Sequence, residues 1–111
     1  MNRNFSQTII VRCGDPEKIV ESLREWDRNQ ASADIMGYMG TRLLADRENL
    51  GQFMLIADFG VIDPEVTAAE EAARNNSRPE TQAWAQNLLN IIDGVPEYHH
   101  YDEIYRTDFL A

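Results

Sequence analysis

The chain has 111 residues, 43% of them hydrophobic and 26% charged, which is the composition of one folded domain (residues 1–111) and excludes general disorder. Nineteen acidic against ten basic residues give a formal net charge of −9, which disfavours nucleic acid as a partner. No apolar run approaches the roughly 18 residues of a membrane span, and the first residues lack a signal-peptide core, so we expect a cytoplasmic protein outside the membrane. The single cysteine, Cys13, excludes an internal disulfide and a cysteine-rich zinc site.

The first half of the chain predicts a strand, a helix and a second strand. Phe5–Cys13 is rich in β-branched side chains and indicates the first strand. Asp15 then suits the N-cap of a helix running from Pro16 to about Asn29, because proline is favoured at the first helical position. Ile35–Ala45 resumes an extended pattern, and the polar residues 46–51 indicate a hairpin connection.

The second half repeats this order. Gln52–Phe59 contains a run of apolar and aromatic residues that predicts the third strand. Asp63-Pro64-Glu65 then repeats the tripeptide that precedes the first helix, in the same position after a strand. We therefore expect a second helix, which the alanine-rich segment Val66–Asn76 supplies.

An interruption divides this second helix. Ser77 and Glu80 have the spacing of a capping box, in which the serine caps a new helix and the glutamate reaches back to the serine amide. The new helix is expected to stop at Asp93-Gly94, with the glycine just past its end. Glu97–Phe109 then predicts a long final strand of mixed polarity.

The order β-α-β-β-α-β is that of a ferredoxin-like domain. It predicts the α+β class, with a four-stranded antiparallel sheet and the helices on one face. Odd-numbered residues of the first strand, such as Ile9 and Val11, are expected to face the helices. Gly37 and Gly40 are expected to mark a bend or bulge in the second strand.

The middle strands are apolar on both faces. Met54 and Ile56 alternate with Phe53 and Leu55, so the sheet face opposite the helices is also apolar. The chain has no further element to cover that face, and leaving it in water would be costly. We therefore expect a homodimer in which two sheets face each other.

A resemblance extends over nearly the whole chain. Ile35–Leu44, the hairpin, Phe53–Phe59, the broken helix with Arg78-Pro79-Glu80 and Trp84, and the final strand together resemble the antibiotic biosynthesis monooxygenase superfamily. The resemblance implies a dimeric α/β barrel. It also implies an oxidoreductase, a cofactor-independent monooxygenase acting on a small aromatic or polyketide-like molecule.

Two alternatives follow from the same resemblance. Haem-degrading relatives use a histidine on the second helix and an asparagine in the first strand, but Phe5–Cys13 contains no asparagine and residues 64–92 contain no histidine. We therefore expect no haem, although His99 or His100 could bind a metal in another arrangement. The sequence has no nucleotide-binding motif, its one cysteine is isolated, and adjacent histidines of a strand point to opposite faces, so we also expect no other cofactor and no tight metal site. The second alternative is a non-catalytic protein that binds a small molecule or interacts with other proteins on the same dimeric scaffold.

Candidate catalytic residues cluster in the final strand. His99 and His100 are the only side chains that titrate near neutrality without a large perturbation, so either is a candidate general base. Strand alternation groups His100 with Tyr98 and Asp102, and His99 with Tyr101. Asp102 is expected to orient His100, and a tyrosine to donate a hydrogen bond. The alternative is that this strand lies at the subunit interface, where such residues are common.

Candidate substrate-binding residues lie elsewhere in the chain. Arg12 and Arg42 interrupt apolar strands and are candidates to hold an anionic oxygen, unless they pair with acids at the sheet rim. Trp84 is a candidate to stack on an aromatic ligand, or a core residue. Asn76 and Arg78 lie at the helix break, where they either border a portal or satisfy free backbone groups.

Overall fold

Seven helices and strands make up the described part of the chain, residues 3–31 and 33–107 of the computed structural model. They are β1 (Phe5–Arg12), α1 (Pro16–Ala31), β2 (Tyr38–Ala45), β3 (Gln52–Phe59), α2 (Ala68–Asn76), α3 (Pro79–Leu89) and β4 (Asp93–Asp102). The strands form one antiparallel sheet in the order β2-β3-β1-β4. The predicted α+β, ferredoxin-like fold is confirmed. None of the described helices is long and apolar enough to cross a membrane.

The main core lies between one face of the sheet and the helices. Ile9 and Val11 of β1 are buried there, as the alternation predicted, together with Trp26, Trp84 and Leu88 of the helices. Burying each such side chain stabilises the fold by about 1.5–3 kcal/mol relative to leaving it in water. This core fixes α1 and α3 over the centre of the sheet.

The two copies of the Asp-Pro-Glu tripeptide form the same turn but lead to different structures. The carboxylates of Asp15 and Asp63 each accept a hydrogen bond from the amide two residues later, at 3.2 and 2.9 Å. Only the first copy leads directly into a helix. α2 begins after Thr67, whose hydroxyl accepts the amide hydrogen of Glu70 at 3.0 Å, and therefore starts later than Val66.

The prediction that Ser77 and Glu80 form a capping box at the helix break is wrong. The Ser77 hydroxyl donates to the carbonyl oxygen of Arg74 at 2.9 Å and so closes the end of α2. Arg78 occupies the N-cap of α3 without a side-chain cap, and Pro79, at the first helical position, has no amide hydrogen to satisfy. The Glu80 carboxylate lies 3.4 Å from the Arg78 guanidinium instead of reaching back to Ser77.

The start of β4 also differs from expectation. α3 ends before the expected Asp93-Gly94 stop, and both of these residues belong to β4. Ile10 of β1 pairs with Glu97, whereas Arg12 pairs with Asp93, so three β4 residues lie opposite one residue of β1. Gly94, with φ of 74°, serves this bulge and not a helix end.

The end of β4 is earlier than predicted. The strand ends at Asp102, whereas Phe109, the expected last residue, lies outside the described residues. The amide of Glu103 donates to the Asn4 carbonyl oxygen at 2.9 Å, and its carboxylate accepts from the Asn4 side chain at 2.9 Å and from Arg106 at 2.7 Å. These bonds hold the chain at the corner of the sheet after the strand pairing stops.

The predicted bulge in β2 is confirmed. The register shifts between Tyr38 and Gly40, and the strand begins at Tyr38 instead of Ile35. Gly37 has a positive φ of 79°, and its carbonyl oxygen accepts the amide hydrogen of Gly60 at 2.7 Å. An added Cβ at Gly37 would collide with the Gly60 carbonyl oxygen.

Gly37→Ala is therefore expected to lower the free energy of unfolding by more than about 2 kcal/mol, because a positive φ and a backbone collision add together. Gly14→Ala is the matched control, since a Cβ there meets nothing within 4 Å. Urea denaturation of the two variants measures the difference. Equal stabilities would show that the turn at Gly37 relaxes freely.

Candidate functional site

A cavity of about 280 Å³ lies between the helices and the sheet. This volume is near the lower end of the range for small-molecule sites. None of the described residues that line it carries a formal charge. The lining residues are Gln7, Ile9, Leu23, Trp26, Thr41, Leu55, Ala57, Phe59, Asn75, Asn76, Thr81, Gln82, Trp84, Ala85, Tyr98 and His100.

The floor of the cavity is built from rows of side chains that cross the sheet. Thr41 of β2 pairs with Ala57, Ala57 with Gln7, and Gln7 with His100 of β4, so these four residues form one row. Neighbouring strands are about 4.8 Å apart, which places the Thr41 and His100 backbones roughly 14 Å apart. The two polar ends of the row therefore lie at opposite ends of the cavity.

The roof is dominated by two tryptophans. The ring centroids of Trp26 (α1) and Trp84 (α3) are 5.0 Å apart, and both rings are buried. The Trp84 indole nitrogen donates to the Ser22 carbonyl oxygen at 2.9 Å, which fixes the orientation of the ring. Flat aromatic surface thus covers the cavity from the helix side.

Polar and exposed lining residues mark the mouth of the cavity, which we define as Gln7, Asn76, Gln82, Tyr98 and His100. Four of these side chains are exposed, and Gln7 is half-buried. The Asn76 side chain donates to the Gln7 side-chain oxygen at 2.9 Å, so the break between α2 and α3 is tied to the sheet. The cavity therefore meets solvent between the helix break and the edge strand β4.

His100 and Tyr98 lie on the cavity side of β4. The His100 ring stacks on Phe5, with centroids 5.8 Å apart and planes inclined by 24°. Burial raises the pKa of the Tyr98 hydroxyl, which keeps it protonated and able to donate a hydrogen bond. A titratable imidazole and a phenol donor thus border the same opening.

The remaining predicted β4 residues are placed differently. His99 faces the opposite side of the sheet, where its Nε2 lies 3.1 Å from Glu97 Oε2 and its ring lies 6.2 Å from that of Tyr101. Asp102 is on the cavity side, paired with Phe5, but no hydrogen bond joins it to His100 within the described part of the chain. The structure therefore separates the two histidines as strand alternation predicted.

The three predicted arginines do not line the cavity. Arg12 is exposed and donates to the Leu50 carbonyl oxygen at 3.3 Å, while Arg42 is exposed at a register position opposite Ile56, on the other face of the sheet. Arg78 donates to the Gln30 side-chain oxygen at 2.8 Å. No cation among the described residues is thus placed to hold an anionic oxygen inside the cavity.

Several polar residues of the cavity escaped the sequence analysis. Gln7 and Thr41 occupy helix-facing positions among apolar neighbours, and this pattern is the signal that marks them. Asn75 is only 1% exposed, and its side-chain oxygen accepts from Arg78 at 3.3 Å. Thr81 is 8% exposed, and its hydroxyl has no hydrogen-bond partner. The cavity is therefore apolar with a few polar groups aimed into it.

The potential metal ligands of the described residues are dispersed. Across residues 3–31 and 33–107, no three side chains of the His, Cys, Asp and Glu types lie together as a metal site would require. Cys13 is buried and free. The donor set at the cavity consists of one imidazole with hydroxyl and amide groups.

The fold and cavity define a ferredoxin-like α+β domain with a ligand-sized interior space. Among solved structures, it is similar to SnoaB, a cofactor-independent oxygenase from Streptomyces nogalater, at 14% identity and a TM-score of 0.71 over 97% of this chain and 99% of that one. It is also similar to a protein from Nitrosomonas europaea provisionally named an antibiotic biosynthesis monooxygenase, at 12% identity and a TM-score of 0.67 over 96% of each chain.

A third similar structure, from Caulobacter crescentus, carries the same provisional name, at 11% identity and a TM-score of 0.65 over 94% of this chain and 92% of that one. No protein-family model and no curated protein matches the chain. The expected resemblance is thus confirmed in the fold, which this chain shares with antibiotic biosynthesis monooxygenases.

Thr81→Val is expected to leave the free energy of unfolding unchanged or to raise it by up to about 1 kcal/mol, since a buried hydroxyl without a partner is unfavourable. Thr67→Val should lower it by about 1 kcal/mol, because that hydroxyl caps α2. Thermal unfolding of both variants gives the comparison. A clear loss of stability in Thr81→Val would mean that its hydroxyl has a partner in solution.

Proposed function

We propose that the protein is a cofactor-independent monooxygenase that oxidises a small aromatic or polyketide-like molecule in the cavity. One observation carries the proposal: an uncharged cavity with two tryptophans in its roof opens beside His100 and Tyr98. The likeness of the fold to SnoaB supports the reaction class. Trp26 and Trp84 supply aromatic surface against which a flat ring stacks.

His100 is the proposed general base. An imidazole nitrogen can act as a general base and then as a general acid, so His100 can accept a proton and return it within one turnover. Its position at the cavity mouth supports this role, and Tyr98, which lines the same mouth, is the proposed hydrogen-bond donor to an oxygen of the substrate. His99, on the opposite face of the sheet, has no part in this chemistry.

The reaction balances with dioxygen as the only co-substrate. His100 removes a proton from an activated methylene group, and the electron pair left on carbon spreads into the aromatic ring. That electron pair reduces O₂ as a C–O bond forms, and the proton returns from His100 to give a hydroperoxide. Loss of water yields a carbonyl group, so one oxygen atom enters the product and the other leaves as water.

A second candidate function is a non-catalytic small-molecule binding protein on the same scaffold. The observation that favours it is the lack, among the described residues, of a carboxylate hydrogen-bonded to His100. A general base is usually oriented by such a partner. The two functions differ in turnover and not in binding.

We further propose a homodimer formed through the sheet face opposite the helices. Ile10, Leu44, Met54, Ile56 and Tyr101 lie on this outer face by their register positions. Leu44 and Tyr101 are 42% and 53% exposed in the single chain. Two copies that bring these faces together about a two-fold axis would bury the apolar residues of both.

His100→Ala is expected to reduce oxygen uptake with anthrone as substrate by about a hundredfold or more, because general-base catalysis contributes at least that much. The rate of oxygen uptake by His99→Ala should stay within about twofold of the wild-type rate. Uptake above the uncatalysed rate is measured with an oxygen electrode, and ¹⁸O₂ labelling should place one labelled atom in the product. Circular dichroism checks that both variants fold.

Equal and modest losses from the two histidine variants, with lower melting temperatures, would contradict the catalytic role. They would indicate that β4 serves the subunit interface. Full binding of anthrone without any uptake would instead favour the non-catalytic candidate.

Ile56→Lys is expected to dissociate or unfold the dimer, since an unpaired charge buried between two sheets is costly. Leu89→Lys is the control, because Leu89 is 44% exposed on α3, on the helix side of the molecule. Sedimentation velocity at micromolar concentration distinguishes dimer from monomer. A stable monomer of the unchanged protein would refute the dimer.

A further inference from the structure

The outer face of the sheet carries opposite charges at its two edges. Arg42 lies on this face in the edge strand β2, and its side chain is exposed. Glu97 lies on the same face in the other edge strand, β4, and is also exposed. Because β3 and β1 lie between these strands, the Arg42 and Glu97 backbones are separated by three strand spacings, roughly 14 Å across the sheet. The two charges therefore cannot pair within one chain.

The carboxylate of Glu97 is turned toward the row of side chains that ends in Arg42. This row crosses the outer face and consists of Arg42, Ile56, Thr8 and His99. Glu97 belongs to the next row, but its Oε2 lies 3.1 Å from the Nε2 of His99. The row thus has a guanidinium at its β2 end and a carboxylate beside its β4 end.

Two copies can bring their outer faces together about a two-fold axis that is either perpendicular or parallel to the strands. With the perpendicular axis, β2 lies over the partner's β2 and β4 over the partner's β4. Arg42 then approaches the partner's Arg42, and Glu97 approaches the partner's Glu97, so like charges meet along both edges. With the parallel axis, β2 lies over the partner's β4, and each positive edge meets a negative edge.

The parallel axis brings the charged groups within reach of each other. Facing sheets are about 10 Å apart, a gap that an arginine and a glutamate side chain span together. Like charges brought together across an interface are strongly unfavourable, whereas opposite charges fix the alignment of the partners. The charges on the outer face therefore favour the parallel axis.

The centre of the outer face is compatible with the same axis. β3 then lies over the partner's β1, so the apolar residues of these strands face each other. Asp58, which accepts the Ser6 hydroxyl hydrogen at 2.5 Å, would face the partner's Ser6. Arg12 would face the partner's Gln52. Neither of these two charges meets a like charge.

We propose that two copies associate through the outer face about an axis parallel to the strands, with Arg42 of each copy paired with the partner's Glu97. Two such ion pairs form in each dimer. The apolar centre favours association, and the ion pairs select this alignment over the perpendicular one. The proposal rests on the homodimer proposed above and assigns its symmetry and the residues that determine it.

Single charge reversals test the alignment. Arg42→Glu places two acids together at each contact, and Glu97→Arg places two cations there, so each is expected to raise the dissociation constant of the dimer by about tenfold or more. Sedimentation equilibrium at low ionic strength measures this constant, because screening by salt is then weakest. The matched controls are Arg28→Glu and Glu25→Arg, which make the same changes in net charge at exposed positions of α1 and should stay within about twofold of the wild type.

The two reversals combined in one chain give the decisive variant. Arg42→Glu with Glu97→Arg restores opposite charges at both contacts, so its dissociation constant should return to within about threefold of the wild-type value. The two positions are too far apart in one chain to rescue each other there, so the recovery requires the partner. An equimolar mixture of the two single variants should likewise form a dimer that is tighter than either variant forms alone.

Single reversals that leave the dimer unchanged, as the perpendicular axis would allow, would overturn this alignment. A double variant that stays as weakly associated as the single variants would also overturn it. Either result with a dimeric wild-type protein would leave the homodimer itself standing, whereas a monomeric wild-type protein would refute both proposals. Circular dichroism checks that each variant is folded.

Discussion

The pairing of β1 with both β3 and β4 determines what the cavity contains. Gln7 lies opposite Ala57 on one side and His100 on the other, and this register turns His100 toward the helices. Side chains alternate between the two faces of a strand, so a slip of one residue that moved His99 into the position of His100 would also place Glu97 where Tyr98 lies. The chemistry available at the mouth therefore depends on strand register more than on the presence of two histidines.

The charges of the chain are kept outside this interior. The chain has a net charge of −9, and outside the cavity Arg12 bonds to a backbone oxygen and Arg78 pairs with the Glu80 carboxylate. An ion inside an apolar chamber would lose its hydration without compensation. This cost explains why none of the described residues that line the cavity is an arginine.

The sequence predicted the element order, the sheet and the odd-numbered face of β1, because apolar periodicity and strong turn residues determine these features. It failed where two local solutions compete. Ser77 can cap the following helix or close the preceding one; α3 begins at Pro79 with Arg78 as its N-cap, and the Ser77 hydroxyl donates to the Arg74 carbonyl oxygen and closes α2. Gly94 suits a helix end or a bulge equally well, and pairing with β1 decides for the bulge.

The cavity was harder to predict than the fold. The alternation of side chains along a strand predicted that His99 and His100 face opposite sides of the sheet. Both faces of β4 have mixed polarity, however, so the β4 sequence does not show which of the two histidines faces the helices. Arg12 and Arg42 interrupt apolar strands, a pattern that predicted substrate-binding residues, yet both lie outside the cavity. A weaker pattern marks the cavity: Gln7 and Thr41 are polar residues at strand positions that face the helices, where alternation predicts apolar residues.

The glycines before and within β2 connect fold and site. Tyr38 and Thr41 are three residues apart, so in a regular strand their side chains would point to opposite faces of the sheet. The bulge between Tyr38 and Gly40 inserts one residue and brings both side chains to the helix side, where Tyr38 meets Trp26 and Thr41 enters the cavity. Gly37 and Gly40 adopt φ values of 79° and 125°, which glycine reaches most readily. Two residues without side chains thus bring an indole, a phenol and an alcohol into contact at the β2 end of the cavity.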